Sequence, residues 1–264
     1  MNQGVYKEKG KPELTGDCSN FGLLASRREM FLIEQAAAVE GKTPAQFVVD
    51  GACSRAQYVL VHRSRLGPSD ASLTAILEAI DRSAVDRPFI KALMDCPAPA
   101  DGRAVIQKFD VGFDLAGFDC GHAVLNDWLF HLALPGQLMN CIDTYVIRAG
   151  RFVVGYHALG VEEFAAHGLP GAFGSTSSHA VRARILMRLA VDTRYQKQGL
   201  GRALVRDAVV RFAAEAESRK VDVLLVQAKN ESVRQFYMNC GFTPLPSEPM
   251  ILFLTLKDVT KALG

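Results

Sequence analysis

"RLAVDTRYQKQGLGRALVRDAVVRF", Arg188 to Phe212, runs from an apolar stretch through a glycine-containing turn directly into a helix-patterned segment. The turn reads Gln196-x-x-Gly199-x-Gly201. It is not a Walker loop, because no Lys-Ser/Thr pair follows the second glycine, and it lacks the third glycine of a dinucleotide fingerprint. The physics is nevertheless shared with both. Glycines let a ligand approach the backbone, and the following helix presents unpaired N–H groups carrying partial positive charge. A phosphate or diphosphate is the natural occupant. A plain strand-to-helix turn would need the same glycines, so the motif alone does not choose between the two.

The surrounding composition sets bounds. The chain has 264 residues, 49% of them hydrophobic and 22% charged, which suits two domains with real cores. Its formal net charge is +2, so no global excess points to nucleic acid or membrane. Locally, Val181–Arg211 holds eight basic residues against Asp192 and Asp207, which suits an anionic ligand. Six scattered cysteines without a C-x-x-C pair, no secretory signal and no membrane-length apolar run predict a cytoplasmic protein with reduced thiols. Cys120-Gly-His122 has no second cysteine–histidine pair beside it, and no metal is expected.

The two halves follow different patterns. Residues 1–17 are polar and predict a frayed arm. "CSNFGLLAS" is a short extended candidate. Amphipathic patterns then predict helices over 26–40, from a Thr43 cap with Pro44 at its first position, from Ser69 through Ile80, and over about 87–94. "CPAPADG", Cys96 to Gly102, reads as a linker. From Val105 the order is strand, helix (ended by Pro135-Gly136), three strands, helix, strand, helix, strand. That order predicts a mixed α/β sheet, the first two of the three strands forming a hairpin through Ala149-Gly150.

Beyond the turn, Asn230, Phe236-Tyr237 and Gly241-Phe242 follow in order. With these in place the segment resembles GNAT-type N-acetyltransferases, whose α+β fold splays two central strands apart. The resemblance implies acetyl-CoA as donor, its pantetheine arm on the backbone of Leu189, Ala190 and Val191. The diphosphate would lie on the turn of Gln196, Lys197, Gln198, Gly199, Leu200, Gly201 and Arg202, with Asn230 and Phe236 completing the site. Tyr237 would donate its hydroxyl proton to the departing sulfur.

"GFDCGHAVLNDWL" (117–129), "VVGYHALG" (153–160) and "AKNESVRQFYMNCGF" (228–242) resemble, more narrowly, GNAT toxins of toxin–antitoxin pairs, which acetylate the α-amine of aminoacyl-tRNA and stop translation. Arg182, Arg184 and Arg188 would then face the acceptor. Residues 32–52 and 77–94 resemble a ribbon-helix-helix antitoxin and its toxin-wrapping tail.

The implied organisation is an arm (1–17), an antitoxin domain (18–66), a wrapping segment (67–96), a linker (97–103) and an acetyltransferase domain (104–264). Helices around Leu73–Met94 would mask the acceptor or donor site. A homodimer is implied, because a two-stranded ribbon needs a second chain. Operator DNA is the further partner such a domain implies, but Leu24 stands where an arginine usually enters the groove. Two other readings fit the same residues: a DNA-binding autorepressor with a degenerate catalytic half, and an N-acetyltransferase for a small amine or a protein N-terminus.

Overall fold

The computed structural model describes residues 25–63, 66–95, 105–165 and 180–264. The arm, the linker, the Gly/Ser-rich insertion at 168–178 and all but the last two residues of the expected strand at 18–26 lie outside them. The chain divides into two compact units, Met1–Ala56 and Gln57–Gly264.

The first unit contains α1 (Arg27–Val39) and the start of α2 (Pro44–Arg63). Each begins with a reciprocal cap. The Ser26 hydroxyl accepts from Glu29 N–H while the Glu29 carboxylate accepts from Ser26 N–H. Thr43 and Gln46 repeat the arrangement. Between the helices Gly41 takes a left-handed φ of 65°, which a side chain would resist. Ala37 is buried, but Phe31, Leu32, Val39 and Val49 remain exposed.

In the second unit a seven-stranded mixed sheet has the order β1-β2-β3-β4-β5-β7-β6. Its strands are β1 (Ile106–Lys108), β2 (Ile142–Ala149), β3 (Phe152–Ala165), β4 (Ala180–Val191), β5 (Val223–Gln227), β6 (Thr243–Pro244) and β7 (Ile251–Thr255). The β4–β5 pairing is parallel, as the intervening crossover helix requires; the other pairings are antiparallel.

Alternation along the strands divides two cores between the faces. On one face Leu159, Leu186, Leu224, Val226, Leu252 and Leu254 pack beneath α7 (Leu200–Arg219), α8 (Glu231–Met238) and α9 (Leu256–Leu263). On the other, Val146, Tyr156, Ala158 and Ala190 meet α5 (Ala123–His131) and α6 (Ala133–Leu138). Beside them Ala183, Ile185, Val223, Leu225 and Phe253 meet α3 (Asp70–Asp81) through Leu73, Ile76 and Ala79.

The short helices ahead of the sheet therefore complete the domain. Helix α4 (Pro88–Met94) sets Ile90 and Leu93, both fully buried, into the first core beside Tyr237, Cys240 and Phe242. The crossing between α3 and α4 hangs on Asp258, 2% exposed, which accepts from Val85 N–H at 2.9 Å and Arg87 Nε at 3.1 Å.

Three local expectations need correction. Pro135 does not end the helix; it lies in the first turn of α6, where its missing N–H is not needed. Helix α9 and the two-residue β6 follow segments read only as a strand and a loop. Glu162 and Glu163 lie within β3.

A buried polar pair ties β3 to α7. His157 Nε2 lies 2.7 Å from Asp207 Oδ2, and the imidazole stacks on Tyr145 at 5.1 Å. Burial outweighs the carboxylate and holds His157 below its ordinary value. The unfolded chain takes up that proton near pH 6.5 and the folded chain resists it, so stability falls as pH drops below about 6.5. The melting temperature is expected to decline between pH 7 and 5, and His157→Gln should flatten that slope.

Candidate active site

Strands β4 and β5 part at a defined point. Their pairing runs from Ala183↔Val223 to Leu186↔Val226 and stops. On the opposite edge of β4, Leu159 pairs with Leu186 and Ala158 with Arg188, leaving Met187 without a partner. This β-bulge sets two side chains, Met187 and Arg188, toward the α5 side of the sheet, packing against its second core and the Trp128 ring. It also turns the backbone of Met187–Val191 away from β5.

The separation opens a cleft of about 760 Å3. Its floor is Met187–Val191; one wall carries Gln227, Lys229, Val233, Phe236 and Tyr237, and the facing lip carries Cys120 and His122. Lys229 Nζ and His122 Nε2 meet across the mouth at 2.6 Å.

At the end of β4 the chain makes a 3-10 turn, Thr193–Tyr195, and enters α7. Asp192, fully buried, accepts from the Asp119 and Arg194 N–H groups and from the Arg194 guanidinium, which pulls its carboxyl down to about 2. Gln196 Nε2 donates to the carbonyls of Cys120 and Val191. Lys197 (φ 61°) and Gly199 (φ 84°) reverse the chain so that α7 starts at the cleft. The N–H groups of its first turn have no partner within the helix.

The expected residues fall into three groups. Arg188, Leu189, Ala190, Val191, Gln196, Lys197, Phe236 and Tyr237 line the cleft. Gly199, Leu200 and Gly201 form the helix start beside it, while Gln198 bonds the Arg194 carbonyl and Asn230 caps α8 by accepting from Val233 N–H. Two others are engaged away from the cleft. Arg202 donates to the carbonyls of Ala92 and Asn239. Arg184, 1% exposed, is enclosed by Asp143 at 2.7 Å and Glu215 at 3.0 Å, where no RNA phosphate reaches it. Arg182 is exposed, outside the cleft lining. His122, Met187, Gln227 and Lys229 line the cleft but carry no local signature; only the family's splayed-strand geometry could have pointed to them.

Tyr237 is 6% exposed and held edge-on between Phe236 at 5.3 Å and Phe242 at 5.6 Å. Burial raises its phenol, so it stays protonated near neutral pH. Gly201 faces the Phe236 ring, and a Cβ there would meet only that ring, at 3.5 Å (Cζ) and 3.7 Å (Cε2), ordinary contacts. Alanine at Gly201 should therefore leave the melting temperature unchanged or slightly raised. If a diphosphate approaches the backbone here, the same variant should bind acetyl-CoA about tenfold more weakly by calorimetry, as one close contact worth ~1.4 kcal/mol is lost.

A split parallel pair with a glycine turn at its open end defines the acetyl-CoA-dependent GNAT acetyltransferase fold and cleft. The sequence comparisons agree. An "Acetyltransferase (GNAT) domain" family matches residues 142–244, and an "Antitoxin TacA 1-like" family matches residues 23–98. A tRNA-acetylating toxin of Mycobacterium tuberculosis is 34% identical over 152 residues, 57% of this chain and 91% of the toxin. AtaT complexed with acetyl-methionyl-tRNAfMet is 26% identical, with a TM-score of 0.53 over 61% of this chain and 99% of that one. An AtaT tyrosine-to-phenylalanine variant bound to the C-terminus of the antitoxin AtaR and acetyl-CoA superposes equally, at 26% identity and TM-score 0.53 over 61% of this chain and 99% of that one. The chain belongs to the GNAT acetyltransferase toxin family, with an antitoxin-like segment N-terminal to the catalytic domain.

Proposed function

We propose that the chain is a fused antitoxin–toxin that transfers the acetyl group of acetyl-CoA to the α-amine of aminoacyl-tRNA. The observation that carries this reading is the cleft itself, a bulged β4 leaving β5 just before a glycine turn, with Tyr237 in the wall. Leu189–Val191 would bind the pantetheine arm through backbone groups and help polarise the thioester carbonyl. The start of α7, with Lys197, would hold the diphosphate, Asn230 and Phe236 would support the arm, and Tyr237 would hydrogen-bond the departing sulfur.

An α-amine with a pKa of about 8 is partly neutral at cellular pH, whereas a lysine near about 10.4 is not. A site with few obvious bases favours the former. Arg182 and Arg188 remain candidates to meet the acceptor.

The segments would divide as an arm to residue 17, an antitoxin domain to 66, a wrapping segment to 96, a linker to 103 and the enzyme thereafter. The apolar side chains left exposed on α1 and α2 support a ribbon-helix-helix unit completed by a second copy. Operator DNA is a secondary partner on this reading. The tail restrains the enzyme through its grip on Arg202 and Arg206, the latter donating to the Met94 carbonyl at 2.9 Å.

The test incubates the whole chain and a variant lacking residues 1–56 with labelled acetyl-CoA and a charged-tRNA pool. Label on the aminoacyl group supports the reading. Label confined to free amines or protein N-termini refutes it in favour of the small-acceptor alternative.

A further inference from the structure

Two segments distant in the chain meet beside the donor cleft. The lip ahead of α5, from Gly117 to His122, contributes Cys120, Gly121 and His122 to the lining. The other segment, from Asp192 to Gln196, leads from the end of β4 into the glycine turn. Hydrogen bonds join the two along their length. Thr193 N–H donates to the Asp119 carbonyl at 2.8 Å, and Asp119 N–H donates to Asp192 Oδ2 at 3.1 Å. Arg194 Nη2 donates to the Gly117 carbonyl at 2.9 Å, and Gln196 Nε2 to that of Cys120 at 3.2 Å.

Asp192 stands at the centre of this lacing and is fully buried. Its Oδ1 accepts from the Arg194 N–H and Nε, and its Oδ2 from Arg194 Nη2 and Asp119 N–H. An ionised carboxylate offers about four acceptor sites, so these donors saturate it. Burying a charge is expensive, and an apolar residue of similar volume would stabilise a plain loop as well. What the carboxylate adds is a fixed geometry between lip and turn. Further along the same turn Lys197 holds a φ of 61°, a conformation that a residue other than glycine keeps where its surroundings impose it.

We propose that Asp192 is a positioning residue for the donor's diphosphate. It acts through the backbone, holding lip and turn as one piece so that the N–H groups at the start of α7 keep their aim into the cleft. Fixing them in advance removes the ordering cost that a loose loop would incur on binding. The proposal rests on the acetyl-transfer reading of the donor cleft.

Charge and positioning predict opposite effects at this residue. A negative group near an anion site repels the anion, so by charge alone neutralising Asp192 would tighten acetyl-CoA. It would also release the Arg194 side chain, 61% exposed, to approach the phosphates. Loss of geometry works the other way. Asparagine has one acceptor oxygen and a donor amide where only donors converge, so lip and turn would part.

The experiment titrates the full chain, Asp192→Asn and Gln196→Ala by calorimetry with acetyl-CoA and with S-acetylpantetheine, which carries the thioester arm but ends before the diphosphate. Asp192→Asn should bind acetyl-CoA about tenfold more weakly and S-acetylpantetheine within about twofold of the unaltered chain. Gln196→Ala cuts the tie to Cys120 without touching a buried charge, and should show the same selective loss at about threefold. Melting temperatures of both variants separate unfolding from loss of aim.

Unchanged or tighter acetyl-CoA binding by Asp192→Asn overturns the proposal. So does an equal loss for the two donors, which a general loosening of the cleft would produce. If Asp192→Asn does not fold, the two affinities of Gln196→Ala decide by the same criterion. An unaltered chain that binds neither donor removes the acetyl-transfer reading and this proposal together. One that binds both donors, with variants that do not discriminate between them, leaves that reading standing and ends the assignment to Asp192 alone.

Discussion

Gly241→Ala is expected to lower the melting temperature by roughly 5–15 °C, more than its one added methyl suggests. Gly241 has φ +96°, a conformation an L-residue resists at a cost of about 1–3 kcal/mol. The added Cβ would also lie 2.5 Å from Ile90 Cγ1 and 2.9 Å from Ile90 N, and overpacking of that kind costs about 1–3 kcal/mol. Strain and clash act together on the seam where α4 lies against the end of α8.

Ile90→Ala in the same chain removes the Cγ1 clash but leaves the backbone strain. The double variant should thus be less destabilised than the two single changes predict by addition. A second readout follows from Arg202 and Arg206, whose guanidinium groups bond carbonyls at the end of α4. Loosening α4 frees them beside the helix start that would hold the donor's phosphates. Gly241→Ala should bind acetyl-CoA more tightly while melting earlier. If affinity and stability fall together, the tail supports the enzyme and does not restrain it.

That dual character of the tail bears on how much was readable from the chain alone. Most of the order of strands and helices, the caps at Thr43 and Ser69, and the turn at Gly199 are local signals, and each appears where its residues placed it. Features set by distant partners were not legible. Arg184 reads as a surface cation within a basic stretch, yet Asp143 on β2 and Glu215 on α7 enclose it. Arg202 reads as a phosphate ligand because nothing in its neighbourhood shows that the Ala92 carbonyl, 110 residues earlier, will reach it.

The bulge at Met187 left no signature either. The Met187 side chain lies over Gly160 on the neighbouring strand, where a Cβ would meet its sulfur, a contact set between residues 27 apart. Adjacent glutamates give no local sign of a strand; their pairing with Ala183 and Arg182 on β4 places Glu162 and Glu163 in β3.

Tyr237→Phe is expected to cut kcat by about a hundredfold or more, equivalent to some 2.7 kcal/mol or more of lost transition-state stabilisation. The change deletes one oxygen and keeps the ring that packs between Phe236 and Phe242, so the melting temperature and the acetyl-CoA Kd should hardly move. The direction of the phenol's perturbation sharpens the prediction. A hydroxyl raised by burial gives up its proton reluctantly, so on the proposed reading it would stabilise the developing thiolate as a hydrogen-bond donor. Its contribution should therefore persist through the alkaline range. The activity of the unaltered chain should show no falling limb between pH 8 and 10 that Tyr237→Phe removes. A limb that disappears with the hydroxyl would show net ionisation of Tyr237 in the working range. A kcat within threefold of the unaltered chain would place the stabilisation of the sulfur elsewhere, and Lys229 at the cleft mouth would be the next group to change.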